Sequence, residues 1–325
     1  MKKFLSCFLI LILALFSFSS CLDQQEKTEK PIIVTTVFAE YDWVRPILGG
    51  TVEEVELVLL TENGADLHSY QPTVNDIATI IQCDLLIHTG GVSDAWLNDA
   101  IDLPTNENRS VLRLMDLLSD EEKLTEQDHL HHDHDEDCDH DHRHEYDEHV
   151  WLSLKLAPRF CDAIADALCQ KFPQHKDLYR DNCEKYITEI AKLDRKYEET
   201  VANTQNATLL FADRFPFSYL MNDYGITCFA AFPGCSSETE TSFKTVSSLA
   251  HQVDQFKLPF VVILEKSDRR LAETVIATSN QPQTQIISLN SLQSIDKKEM
   301  EKGITYIGVM QNNLNQIAIA LSVKN

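Results

Sequence analysis

Residues 55–76 read VELVLLTENGADLHSYQPTVND. Val55 to Leu60 is an apolar run of strand length, the polar loop after it carries His68, and Pro72 stands at the entrance of a helical stretch, Thr73 to Ile81, which Thr73 or Asn75 can cap. Strand, loop and helix in that order form the repeating unit of a parallel sheet covered by helices. The unit recurs on both sides. Strands are expected at Ile32 to Val37, Cys83 to His88 and Val111 to Met115, with a helix at Tyr41 to Leu48. After residue 205 the alternation resumes, with strands at Ala207 to Ala212, Ile226 to Ala231, Phe260 to Leu264 and Gln285 to Leu289. Helices are expected there at Ser242 to Gln255, Ala272 to Ser279 and Gly308 to Val323. Between the two α/β regions, His175 to about Asn203 contains no Gly or Pro, and Tyr179, Cys183, Tyr186, Ile190, Leu193 and Tyr197 recur at steps of three and four. Such a helix would be roughly 40 Å long, either an ordinary core helix or a strut that limits bending between two lobes.

The expected organisation is a two-lobed α/β protein, each lobe a mainly parallel sheet flanked by helices. Residues 31–172 form the N-terminal lobe, 173–204 the linking helix and 205–325 the C-terminal lobe. Ahead of them, Lys2 and Lys3 precede an apolar run, Phe4 to Phe18, followed by Ser19, Ser20 and Cys21. That is the layout of a signal peptide over residues 1–21, and the run is shorter than the roughly 20 residues a spanning helix needs. Leu22 to Lys30 is polar and reads as a tether. The formal charge of −23 argues against nucleic acid and favours cationic partners. Cleavage at Cys21 would remove Lys2 and Lys3 and deepen the charge by two. Seven cysteines follow the signal, an odd number with no CxxC pair, and are read as small buried hydrophobes except Cys138.

Cys138 lies in HLHHDHDEDCDHDHRHEYDEH, His129 to His149, within a His/Asp-rich loop taken as residues 128–148. The stretch has little apolar to bury and reads as solvated. Imidazole and carboxylate at this density suit a borderline divalent metal, zinc before others. His129, His131, His132, His134, His140, His142 and His144 form the auxiliary metal loop in this reading. His149 differs, because Val150-Trp151-Leu152 ties it to a folded element. His68, at the carboxyl end of a strand, is placed where open α/β sheets bind ligands.

GADLHSYQPTVND resembles the segment G-x-D-P-H-x-Y-E-P-T-x-x-D of the zinc/manganese solute-binding lipoproteins that serve ABC-type importers. YDEHVWLSL resembles their D-P-H-V-W-L-S-P segment. The resemblance implies that His68 and His149 are metal ligands. Phe217 to Gly225, FSYLMNDYG, resembles A-F-x-Y-F-x-x-x-Y-G, and Gly308 to Leu321, with Met310, Asn312 and Asn313, resembles the family's final helix. A His- and acid-rich loop before the second histidine is typical of the zinc-selective branch. Cys21 resembles a lipobox cysteine, although Phe18 departs from the usual aliphatic residue. The implied protein is a monomer outside the cytoplasm, lipid-anchored to the cell membrane, that carries Zn²⁺ (Mn²⁺ as the other candidate) to a permease driven by an ATPase.

Two positions depart from the pattern. Five residues before Tyr219, where the family carries His or Glu, stands Arg214, which cannot ligate a metal. After the last core strand, Leu289-Asn290-Ser291 offers only amide and hydroxyl oxygens. Asp213 and then Glu265 are the candidate C-lobe ligands, ahead of Glu238 and Glu240. A further possibility is that Arg214 pairs with Glu265 or Asp268 and bridges the lobes. Other functions compatible with these residues are a surface adhesin, an extracellular zinc buffer and a zinc hydrolase. The last lacks a tight HExxH spacing. Histidine ligation also implies that metal affinity falls below about pH 6.5.

Overall fold

The computed structural model describes residues 30–102, 106–125, 146–234 and 242–321. The signal segment, Cys21, the tether up to residue 29, the seven auxiliary-loop histidines, Cys138, Cys235, Glu238 and Glu240 fall outside them. In the N-terminal half β1 (Ile32–Thr35), β2 (Glu56–Leu59), β3 (Leu85–His88) and β4 (Ser110–Arg113) form a sheet of order β2-β1-β3-β4. In the C-terminal half β5 (Thr208–Phe215), β6 (Thr227–Pro233), β7 (Phe260–Leu264) and β8 (Gln285–Leu289) form a second sheet of order β6-β5-β7-β8. Every pairing is parallel. Each sheet therefore reverses its winding beside its first strand, at β1/β3 and at β5/β7, and ligand crevices open at the carboxyl ends of strands at such points.

All eight expected strands are present. The helices of the reading are present too, with ends shifted by a few residues. The first runs Phe38–Leu48, three residues earlier than expected, and the helix after His68 runs Val74–Gln82, with Thr73 Oγ1 accepting from Asp76 N at 3.2 Å as its cap.

The linking helix spans Lys176–Ala202 and buries Tyr179, Cys183, Ile190, Leu193 and Tyr197, five of the six residues its period singled out; Tyr186 is half-buried. Near its start, Asn182 Nδ2 donates to Ile47 O (3.1 Å) and Tyr179 Oη lies 3.0 Å from Thr51 Oγ1, both in the N-terminal half. Near its end, Tyr197 Oη donates to Met310 O (2.7 Å) in the C-terminal half. It is thus both a core helix and a strut.

The halves share one core. A single cluster of buried side chains runs from Ile33, Trp43 and Phe160 through the linking helix to Phe211, Phe217 and Tyr306. Tyr306 lies at its centre. Its ring meets Trp43 edge-on at 5.1 Å, its hydroxyl donates to Trp151 O (2.9 Å), and its N–H donates to the buried Asp42 Oδ2 (2.8 Å). Cys83, Cys161, Cys169, Cys183 and Cys228 are buried and unpaired, as small hydrophobes. Among the described residues no helix is long and apolar enough to cross a membrane.

Candidate metal centre

His68 and His149 reach one point from different parts of the chain. The loop after β2 turns through Leu67–Ser69, where Asp66 Oδ1 accepts from His68 N (3.0 Å). The second segment repeats the device, Asp147 Oδ1 accepting from His149 N (2.8 Å) just before the turn Val150–Leu152. The two Nε2 atoms stand 3.2 Å apart. Two imidazoles on one tetrahedral zinc, each at about 2.0–2.1 Å, have nitrogens about 3.3 Å apart.

The far side of each ring is held. His149 Nδ1 donates to Asp147 Oδ1 (2.7 Å), and the ring packs edge-on against Trp151 at 5.1 Å. His68 Nδ1 lies 2.5 Å from Ser93 Oγ and 3.2 Å from Glu148 Oε1. A carboxylate on the remote nitrogen fixes a ligating histidine's orientation and raises its basicity toward a metal. Burial, then the neighbouring His149, pushes the His68 pKa down to about 3, so this ring is neutral and able to ligate across the physiological range. Burial thus moves the acid loss of ligation expected of His68 to a pH below the ordinary 6.5. Burial alone would raise Asp147, yet the adjoining His149 holds it below the usual carboxylate range. Asp147 and Glu148 are 0% and 5% exposed, so these two do not belong to the solvated loop expected over 128–148.

The C-terminal candidates are Asp213 and Glu265. Asp213 lies where the β5–β6 register shifts, a bulge that re-aims side chains at the carboxyl end of β5. Its Oδ1 accepts from Arg214 N (2.9 Å) and its Oδ2 from Leu264 N (3.1 Å). Glu265 follows β7 and accepts from Ser291 N (2.9 Å), Ser291 Oγ (2.6 Å) and Ser294 Oγ (3.3 Å); burial raises its pKa. That loop is in turn tied to the histidine segment, because Trp151 Nε1 donates to Ser291 O (2.9 Å). Among the described residues no group of three or more His, Cys, Asp or Glu is arranged to hold a metal ion, so the two imidazoles stand as a pair.

Arg214 does bridge the halves, but to neither acid the sequence offered. Its Nη2 donates to Asp66 Oδ2 at 2.7 Å, while Asp268 pairs with Arg270 and Glu265 is engaged by the serines. Burial would raise Asp66, and Arg214 overrides it to hold the pKa low. Asp66 thus links the guanidinium to the backbone of His68.

Two parallel sheets joined by one long helix, with two imidazoles brought together from separate loops, define a two-lobed solute-binding protein of the metal-carrying type. The chain belongs to the family described as zinc-uptake complex component A, periplasmic, whose model matches residues 33–320. It is 28% identical to the zinc-binding lipoprotein AdcA of Streptococcus pneumoniae over 98% of this chain, though it spans only 60% of that relative's length. It is also 28% identical to the high-affinity zinc uptake system protein ZnuA of Bacillus subtilis, covering 98% of this chain and 96% of that one. In fold it matches the periplasmic zinc-binding protein TroA of Treponema pallidum with a TM-score of 0.73, at 23% identity over 90% of this chain and 99% of that one.

Proposed function

We propose that this protein captures Zn²⁺ between His68 and His149 and delivers it to an ABC-type permease with its ATPase. The observation that carries the reading is the 3.2 Å approach of two Nε2 atoms whose opposite nitrogens face carboxylates. Without metal the two outward nitrogens lie within hydrogen-bond reach of each other, and a cation between them would take the place of that contact. Two imidazoles favour zinc over manganese, which prefers oxygen-rich octahedral sites.

Asp213 is the C-lobe carboxylate best able to join them. Its two oxygens each accept one backbone N–H, which leaves lone pairs, whereas Glu265 already takes three donors. The shared core argues against wide hinge opening, so release on the permease would act by drawing the C-lobe group away from the histidines. The reading also places the protein outside the cytoplasm, held by lipid at Cys21, in keeping with the lipoprotein name of its pneumococcal relative.

The auxiliary loop would gather metal at the same place. Thr125 and Tyr146 form an antiparallel bridge, and Asp147 N donates to Leu124 O (2.7 Å), so the residues flanking the loop in sequence meet beside His149. Zinc titration of a variant lacking residues 128–145 tests the division of labour. One tight site should persist while the weaker equivalents vanish, and His68→Ala in that background should abolish the tight site. Loss of the tight site on deletion, or its survival in His68→Ala, would defeat the proposal.

A further inference from the structure

Glu148 occupies the place where the resembling D-P-H segment has proline, and the metal reading gives it no ligand role, since it faces the wrong side of His68. It is nonetheless buried and fully engaged. Its Oε2 accepts from Ser93 N (3.0 Å), its Oε1 accepts from Ser93 Oγ, and the same Oε1 lies 3.2 Å from His68 Nδ1. The fold makes room for it at Gly91. A Cβ there would come within 1.8 Å of Oε2 and 2.3 Å of the Glu148 Cβ. Gly91 is not among the residues with positive φ, so its lack of a side chain answers to this contact rather than to the backbone.

The proton count settles the direction of the chain. A carboxylate only accepts, so the single Ser93 hydroxyl proton goes to Glu148. Ser93 Oγ is then left to accept from His68, and the ring proton must sit on Nδ1, with the Nε2 lone pair pointing at His149.

We propose that Glu148, both directly and through Ser93, is a positioning residue that locks His68 in its Nδ1–H tautomer. The tripeptide Asp147-Glu148-His149 thereby supplies one zinc ligand and aims both, with consecutive carboxylates serving rings that lie 81 residues apart in sequence. The use of the lock rests on the zinc reading; the lock itself exists in the metal-free protein.

The test is long-range ¹⁵N–¹H NMR of the zinc-free full chain, with His68 assigned by comparison with His68→Gln, alongside zinc titration by chelator competition. Wild type should show His68 as Nδ1–H. In Glu148→Ala the tautomers should mix and zinc affinity should fall about 10–100-fold. Gly91→Ala should reproduce both effects by displacing the carboxylate, and it answers the question should Glu148→Ala fail to fold. Ser93→Ala, which leaves Oε1 in reach of Nδ1, should shift both measures less. An unchanged tautomer in Glu148→Ala and Gly91→Ala, or a mixed tautomer with unchanged zinc affinity, overturns the proposal. Zinc affinity that survives His68→Ala would instead overturn the zinc reading, while the zinc-free tautomer result still decides whether the lock exists.

Discussion

Replacing Asp147 by asparagine separates charge from geometry at the better-buried histidine. The asparagine carbonyl oxygen can still accept from His149 N and Nδ1, which now lie 2.8 and 2.7 Å from Asp147 Oδ1, so the ring keeps its aim. What disappears is a full negative charge behind it. From that oxygen across the ring to a metal on Nε2 is about 6.5 Å, and at an effective dielectric near 20 the attraction to a divalent ion is about 5 kcal/mol. Solvent and the other acids recover part of this, and outer-shell substitutions elsewhere cost about 10–100-fold in affinity, or about 1.4–2.7 kcal/mol. The expected result is a loss within that range, measured by competition with a chromogenic chelator in the background lacking residues 128–145. Asp147→Ala should cost more, because the ring then loses its acceptor as well. Zinc-free melting curves verify that each variant folds. An Asp147→Asn affinity within about threefold of wild type would refute the charge argument.

Two other outcomes follow from the same geometry. Arg214→His restores an imidazole where the resembling family carries His or Glu, and it should tighten zinc binding on the order of tenfold; an unchanged or weaker affinity would show that this position does not face the metal. The His68 pKa, about 3 in the fold against 6.5 as the ordinary value, means that the unfolded chain takes up a proton which the native ring refuses. This contribution to stability is intact above pH 6.5 and is lost as pH falls toward 3. The zinc-free melting temperature should therefore decline with acidification below pH 6.5, more steeply in the parent than in His68→Gln, and equal slopes would contradict the shift.

Most of the architecture was legible because each strand is a short run of branched or apolar residues and each helix carries its own period. Phe260–Leu264 and Gln285–Leu289 appear at the expected residues, and Lys176–Ala202 lies one residue inside the Gly- and Pro-free stretch His175 to Asn203 at each end. The first helix begins early because Phe38 to Glu40 are buried in the fold, a tertiary fact that no local pattern announces. At the site, the two histidines could be picked out but their supports could not. Asp147 and Glu148 look like the end of a solvated acidic tract, and only the fold turns them inward. One signal was available: both histidines sit in an Asp-x-His triplet, Asp66 to His68 and Asp147 to His149, the spacing that lets the acid accept from the histidine N–H. Arg214 could be recognised as a non-ligand, but its partner Asp66 is 148 residues away and depends on the bulge in β5.

The place of Tyr306 at the centre of the core bears on how the chain is made. Trp43 and Asp42, in the first helix, find their packing and hydrogen-bond partner 264 positions later. A nascent N-terminal half would leave Trp43 without its edge-on partner and the buried Asp42 without the Tyr306 N–H, with Arg45 as its near cation, until the last helix arrives. A chain truncated before Tyr306 would also lose the hydroxyl that holds the backbone of Trp151, the ring packed against His149, so the last helix helps to set the aim of a ligand made half a chain earlier.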